Sequence, residues 1–342
     1  MTVPADEPGA GGIIVTRTPL RLSLAGGGTD LPEFYEVDGG AVLSTAIDKY
    51  IYVTVKRHGS FFDEPIRVNY SRSEMVERVS DIENDIVRSC LTYLEIEAPI
   101  YVSVVGDLPA ASGLGGSSAF AVGLLNALHA YRGERVGAGQ LAAEASHVEM
   151  EILREPIGKQ DQYAAAYGGI NLFEFLPSGR VRVEAQHLSK AVIDPLFEGI
   201  MLFWTGHPRS AGKVLAEQRA QTGVKRDELS AMRRHALHLR DVLHDRGADL
   251  EEIGRTIHES WLMKRGLAST ITNDRIDQWY ERARKAGAVG GKVAGAGGGG
   301  FLLFIVPDGC REAVREALAD LVYVPVRPEA HGSQLVLPFM AW

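Results

Sequence analysis

Residues 108–119 run Leu-Pro-Ala-Ala-Ser-Gly-Leu-Gly-Gly-Ser-Ser-Ala, between a β-rich run at 101–105 and a helix-patterned run that begins at Ser117. Gly113, Gly115 and Gly116 let backbone N–H groups converge on an anion. The helix start adds unpaired donors and the positive end of its dipole. Ser117 and Ser118 stand where a hydroxyl could cap the helix, touch a phosphate or ligate Mg²⁺. A capped turn needs one glycine and one serine, so this density points to phosphate binding. The G-x-x-x-x-G-K-[ST] spacing of the P-loop occurs nowhere: Gly158-Lys159 is followed by Gln160, and Gly291-Lys292 by Val293. A second glycine run, 295–300, formally matches G-x-G-x-x-G, but it leads into the apolar strand pattern of 301–306. A dinucleotide site needs a helix there, so close approach to a ligand or another loop is the better account.

Two more segments carry chemistry. In 19–30, Arg21 sits among alternating apolar residues, and Gly26-Gly27-Gly28 leads to Thr29 and Asp30. An exposed arginine on an edge strand beside an ordinary turn would look the same. Around 149–162, Glu149 offers a hard oxygen for Mg²⁺. Asp161 could take a proton from a substrate hydroxyl, with Arg21 or Lys159 steadying developing charge.

The elements that must position these residues follow from pattern. Alternation and β-branched content predict strands at 13–24, 51–55, 66–70, 101–105, 170–175, 181–183, 200–204, 301–306 and 322–326. Helical spacing predicts helices from Ser117, over 140–153, and at 210–221, 227–244, 250–267, 274–286 and 311–321. Strands cluster early and helices late, without regular βα alternation, so the expectation is an α+β chain rather than a doubly wound sheet. A boundary falls near 187–199, dividing a flexible start (1–12), a first domain (13–190) and a second (191–342).

Composition narrows the function. The 342 residues include 36 Lys plus Arg against 44 Asp plus Glu, a net charge of −8, which argues against a general nucleic-acid or membrane-surface binder. Two cysteines, Cys90 and Cys310, cannot make a disulfide framework or a cysteine-rich zinc site. No apolar run approaches the ~18 residues of a membrane span, and 1–12 lacks signal-peptide order, so a cytoplasmic protein is expected. Glycine, at 38 residues, exceeds the usual ~7% and is concentrated in the segments above.

Together these segments resemble the GHMP kinase superfamily of galactokinase, homoserine, mevalonate and phosphomevalonate kinases. The first motif resembles 19–30. The second, P-x3-G-L-G-x-S-S-A, is met by 109–119, and the third, G-A-G-x-G-G, by 295–300. Within it, 156–171, 205–218, 261–277 and 290–304 look like the D-glycero-D-manno-heptose 7-phosphate kinases, with the fucokinase kinase domain a near relative.

The resemblance implies a ribosomal protein S5 domain 2-like N-terminal domain and a ferredoxin-like C-terminal domain, with the site between them. It implies ATP and Mg²⁺, with Pro109, Ser112, Gly113, Leu114, Gly115, Gly116, Ser117 and Ser118 around the ATP phosphates. Ser117 or Ser118, with Glu149, would hold the metal. Asp161 would be the general base, paired with Arg21. Gly27, Gly28, Thr29, Asp30, Lys159, Gln160, Gly297 and Gly298 would contact the substrate. A sugar already phosphorylated at C7 needs a second anion site, for which Arg209, Lys213, Lys159, Lys264 and Arg265 are candidates. Gly116 departs from the family, where serine is common, and leaves open which serine meets the metal. The expected product is a 1,7-bisphosphate, made by a monomer or homodimer. A C1 kinase for fucose, galactose or arabinose is the alternative, as is an inactive nucleotide sensor on the same fold.

Overall fold

The computed structural model describes residues 12–59, 61–207, 211–245 and 249–338. The expected flexible start therefore lies outside the described residues, apart from Gly12. The chain first forms β1 (Ile14–Ala25), α1 (Pro32–Asp38), β2 (Gly40–Lys56), β3 (Ile66–Asn69), β4 (Ser73–Val76), α2 (Asp85–Tyr93), β5 (Ile100–Gly106), α3 (Gly116–Tyr131), α4 (Ala138–His147), α5 (Gln160–Tyr167), β6 (Ile170–Phe175) and β7 (Val181–Ala185). It continues through α6 (Lys190–Gly199), β8 (Ile200–Trp204), α7 (Ala211–Gln221), α8 (Arg226–Asp245), α9 (Leu250–Arg265), α10 (Asp274–Lys285), β9 (Gly290–Val293), β10 (Phe301–Ile305), α11 (Arg311–Ala317), β11 (Val322–Val324) and β12 (Gln334–Pro338).

Two sheets result. The first has the order β12-β1-β2-β5-β3-β4, with β6 and β7 continuing from β2; the second has the order β11-β8-β10-β9. All pairings are antiparallel except β3 beside β5, as an α+β chain of runs and hairpins allows. The long β2 serves two partners. Residues 40–45 pair with β6, and residues 51–56 pair with β5. The sequence reveals only the second half of β2, because residues 40–47 are buried on both faces and show no alternation.

The second sheet explains why its strands read as unbroken apolar runs. Ile200, Leu202, Phe301, Leu303 and Ile305 point into the large core shared with the first sheet. Met201, Phe203, Leu302 and Phe304 point the other way, onto Trp261, Trp279 and Tyr280 of α9 and α10. Both faces of this sheet are therefore dry.

The expected second domain, 191–342, is not one contiguous unit. After β11 the chain returns, and β12 pairs with β1 as an additional strand of the first sheet. α8 also lies against β2 and β1. Among the described residues, no helix is long and apolar enough to cross a membrane.

α3 carries the serines, and its placement depends on a close approach to β1. It is apolar nearly all round, and residues from Ser118 to His129 are buried, as expected of a helix inside a core. Thr16 Oγ1 donates to the Gly123 carbonyl at 2.8 Å, and a Cβ at Gly123 would lie 2.6 Å from Thr18 Oγ1. Gly123→Val should force α3 off the sheet and destabilise the protein by about 1–3 kcal/mol. Thermal unfolding measures this; an unchanged Tm would contradict the close packing.

Candidate active site

The loop between β5 and α3 turns back on itself through three residues with positive φ, Ala111 (56°), Gly113 (87°) and Gly115 (76°). Gly115 is the N-cap of α3, and no side chain caps the helix, so the serines are not spent on capping. Ala111, Ser112, Gly113, Gly115, Gly116, Ser117 and Ser118 line one wall of a cavity of about 260 Å³. Leu114 and Pro109, expected in this wall, are not part of it. Leu114 is buried and fixes the loop through its carbonyl, which accepts from Arg21 N at 3.1 Å, while Pro109 faces solvent.

Arg21 and Asp161 meet across this loop. Arg21 Nε and Nη2 donate to Asp161 Oδ1 and Oδ2, each at 2.8 Å, and Nη1 donates to the Gly113 carbonyl at 2.8 Å. Arg21 is buried by the alternation of β1, which turns it inward. Asp161, in the first turn of α5, keeps 26% of its side chain exposed toward the cavity. The arrangement presents a carboxylate to a ligand while its far side is neutralised by a bidentate guanidinium.

Asp30 is seated beside them. It accepts from Gly28 N at 2.9 Å and from Gln160 Nε2 at 3.0 Å. Burial, and then the nearby Asp161 charge, push its carboxyl up. A Cβ at Gly158 would stand 2.1 Å from Asp30 Oδ2, so glycine is required there. Gly27, Gly28 and Gln160 line the cavity with Asp30. Thr29 and Lys159, expected beside them, do not. Thr29 Oγ1 is fully buried and ties Gly26 O to Ala41, a structural clamp. Lys159 Nζ reaches away to Gly179 O at 2.8 Å and over the Tyr35 ring. Three buried atoms of cavity residues, Ser23 Oγ, Gln160 Oε1 and Gln218 Nε2, have no hydrogen-bond partner among the described residues. Ser23 and Gln218 have no distinctive motif, so sequence reasoning missed them.

Glu149 lies on a π-helical turn, Val148–Ile152, that extends α4; such turns re-aim side chains. It is buried, and its Oε1 accepts from Ser117 Oγ at 3.2 Å and its Oε2 from Gln162 Nε2 at 2.6 Å. The Ser118 hydroxyl also favours its charged form, so both serines act on this carboxylate. Burial is the main cause that pushes the Glu149 carboxyl up to about 7. Among the described residues it has no basic partner, and a carboxylate flanked by hydroxyls is a hard-oxygen donor set suited to a divalent cation. Among the described residues, no group of three His, Cys, Asp or Glu side chains could cage a metal. Mg²⁺ suits such a sparse site, because it commonly takes one or two carboxylates and fills its shell with water and phosphate oxygens.

The third glycine run closes the opposite wall, differently from expectation. Gly295 and Ala296 line the cavity. Gly297 and Gly298 pack against the chain at 270–271 instead: a Cβ on Gly297 would lie 2.7 Å from Ile271 O, and Gly298 N donates to that carbonyl at 2.7 Å. The wall's cations are Lys264 and Lys292. Sequence reasoning missed Lys292; a lone lysine inside a buried Gly-Gly-Lys-Val-Ala run was the available signal. Arg265 is turned away and bonds Asp277 at 2.7 Å. Arg209 and the side chain of Lys213 lie outside the described residues, although Gly212 and Leu215 of α7 reach the cavity.

A glycine-rich loop at a helix start, opposite a carboxylate exposed to the same cavity, has the makings of a small-molecule kinase, and known proteins agree. The GHMP kinases N terminal domain matches residues 84–169, and the GHMP kinases C terminal domain matches residues 239–324. A D-glycero-alpha-D-manno-heptose 7-phosphate kinase of Campylobacter jejuni is 32% identical over 86% of this chain and 89% of its own. The L-fucokinase/L-fucose-1-P guanylyltransferase of Bacteroides fragilis is 26% identical over 86% of this chain but 35% of its own. A solved D-glycero-D-manno-heptose 1-phosphate kinase from Bacteroides thetaiotaomicron superposes with a TM-score of 0.77 at 26% identity, over 95% of this chain and 99% of that one. The chain belongs to the GHMP kinase family. It is a phosphotransferase with a hydroxyl acceptor, a sugar kinase of that fold.

Glu149 gives a test of the cation site. Its folded value, about 7, lies above its ordinary 4.5. The folded protein therefore holds a proton that the unfolded chain has released, and in metal-free buffer stability falls as pH rises between those values. Glu149→Gln, which cannot ionise, should melt several degrees above wild type at pH 8, with the gap closing toward pH 5. Mg²⁺ should raise Tm at pH 8 in wild type only. A variant that melts lower than wild type at pH 8 would contradict an uncompensated buried carboxylate.

Proposed function

We propose that this kinase transfers the γ-phosphoryl group of ATP to the anomeric C1 hydroxyl of a D-glycero-heptose 7-phosphate, giving the 1,7-bisphosphate. The observation that carries the reading is the Arg21–Asp161 pair set against the 111–118 loop. Similarity to a heptose 7-phosphate kinase over most of both chains supports the choice of sugar.

The site residues divide the work. Asp161 accepts the proton of the attacking C1 hydroxyl as that oxygen bonds to the γ-phosphorus and the bond to the β,γ-bridging oxygen breaks. Arg21 holds Asp161 in place by both oxygens, and its tie to the Gly113 carbonyl sets the carboxylate relative to the phosphate loop. The N–H groups of 112–118 and the start of α3 take the phosphate oxygens, since phosphoryl transfer needs positioning and charge neutralisation above all. Glu149, with Ser117 or Ser118, would hold Mg²⁺, which supplies charge neutralisation at the phosphates. Asp30, fixed by Gly28 and Gln160, receives sugar hydroxyls, and the unpartnered Ser23, Gln160 and Gln218 atoms suit a ligand rich in hydroxyls. An adjoining hollow shares Ser117, Glu149 and Glu155 with the cavity and is lined by Tyr70 and residues 83–86. It is the place for the nucleoside. The cleft lies between the unit built on the first sheet and the unit built on the second.

The test is ADP release from Mg-ATP across heptose 7-phosphate, free heptose, fucose, galactose and mannose. Turnover is expected on the heptose 7-phosphate, with kcat lowered about 10²–10⁴-fold in Asp161→Asn and KM for ATP little changed. Turnover on a free sugar alone would keep the base and discard the 7-phosphate. ATP binding without turnover on any sugar would favour a sensor.

A further inference from the structure

Three buried polar atoms of the cavity gather around one dipeptide. A Cβ on Gly27 would lie 3.3 Å from Ser23 Oγ and 3.8 Å from Gln160 Oε1, and a Cβ on Gly28 would lie 2.4 Å from Gln218 Nε2. None of the three atoms has a hydrogen-bond partner among the described residues. Ser23 is only 7% exposed and Gln218 only 2%. Buried polar atoms are nearly always paired, and each one left unpaired is costly. Here three stand together, in the cavity that also holds Arg21, Asp30 and Asp161.

The three come from separate elements, and each is held. Ser23 follows Arg21 by two residues in β1, so the pleat turns both side chains to one face. Arg21 meets Asp161 there, and Ser23 stands one pleat further along. Gln160 is fixed through its Nε2, which donates to Asp30 Oδ1 at 3.0 Å and leaves Oε1 for a ligand. Gln218 lies in α7, and its neighbours in sequence tie down that turn. Glu217 Oε1 accepts from Ser269 N at 2.7 Å, and Arg219 Nε donates to Glu33 Oε1 at 2.7 Å. A terminal amide brings a polar atom to Gly28 in either orientation. All three groups are neutral. A carbonyl oxygen and the neighbouring Asp30 disfavour an anion here, whereas a hydroxyl can both donate and accept.

We propose that Ser23, Gln160 and Gln218 read hydroxyls of the acceptor sugar, with Gln218 the residue that discriminates between acceptors differing in one hydroxyl. The assignment rests on the reading that places the acceptor beside Asp161 and Asp30, and not on a phosphate at C7. An acceptor with a hydroxyl at the Gln218 amide completes its hydrogen bonding. One without it leaves the amide buried and unpaired, and is rejected by that loss.

The experiment compares wild type, Gln218→Met and Ser23→Ala with Mg-ATP, on heptose 7-phosphate and on its monodeoxy analogues at C2, C3, C4 and C6. Methionine matches glutamine in length, and alanine removes only the hydroxyl. Each change deletes an unpaired polar atom, so Tm should equal or exceed that of wild type, where a structural hydrogen bond would be lost with a fall in Tm. KM for heptose 7-phosphate should rise about 10–100-fold in Gln218→Met and about 3–10-fold in Ser23→Ala. KM for ATP should stay within about twofold in both. In wild type, one deoxy analogue should lose about 10–100-fold in kcat/KM, and Gln218→Met should use that analogue and the parent alike. An unchanged KM in both variants, or equal losses on the parent and every analogue, would overturn the proposal and leave these side chains to packing. A raised KM for ATP would overturn it in favour of the nucleotide. Wild type that uses only fucose or galactose discards the C7 phosphate, and the deoxy analogues of that sugar then test the same contacts. Wild type that turns over no sugar removes the acceptor reading, and the proposal with it. That result comes from wild type alone, so the two failures are separable.

Discussion

The Arg21–Asp161 pair joins three segments that are far apart in the chain. Arg21 comes from β1, Asp161 from α5, and the Gly113 carbonyl from the loop ahead of α3. One guanidinium binds all three, because its planar fork offers five donors in fixed directions. The Arg21 backbone adds a fourth tie, to Leu114 O. A half-buried pair of this kind is a weak source of net stability, but removing Asp161 would leave the buried Arg21 charge behind, at a cost of about 3–5 kcal/mol. The pair therefore fixes geometry. It sets where the carboxylate stands relative to the phosphate loop, and Asp30, Gln160 and Glu149 are arranged around that choice.

The empty cavity is electrostatically uncomfortable on both sides. Asp30 and Glu149 are buried acids pushed up toward neutrality, and Lys292 is a buried base pushed down. Burial is the first cause in all three, and like charges add to it: Asp161 acts on both acids, and Lys264 and Arg21 act on Lys292. Groups displaced in opposite directions within one cavity mark a site built for charged ligands. A cation at Glu149 would relieve the penalty on that acid, and an anion beside Lys292 would relieve the penalty on that base.

Much of this was legible in the residues. The glycine–serine loop, Arg21, Asp161, Asp30 and Glu149 come together as their motifs suggested, because motif chemistry is local and survives translation into structure. What failed was side-chain direction. Thr29 and Lys159 adjoin true cavity residues, yet a turn and a helix start aim them elsewhere, and Leu114 sits inside the phosphate loop with its side chain in the core. Lys292 and Gln218 were missed for the converse reason: their segments were expected at the site, but only tertiary packing shows that these two side chains reach the cavity. For the fold, strands with one wet face were readable. The first half of β2, dry on both faces, was not, nor was the short return of β12 to the first sheet.

The glycines require a revision of what their clustering means. Sequence logic assigns dense glycine to ligand approach, and at 111–116 the loop does face the cavity. In the third run, from Gly297 on, the backbone meets protein instead. A Cβ on Gly300 would lie 2.3 Å from Ser112 O, and Gly300 itself accepts from Thr205 N at 3.0 Å. The second unit thus presses a side-chain-free stretch onto the phosphate loop from behind. Gly26 repeats the device, with a Cβ that would fall 1.9 Å from Ala41 O. The Gly300 contact makes the shape of the loop at 111–118 depend on the seating of the second sheet. That sheet shares its dry inner face with the first core, so the seating is fixed by hydrophobic packing rather than by ligand. A cradle held from behind in this way has less loop entropy to lose when phosphates arrive, which is where glycine would otherwise be most costly.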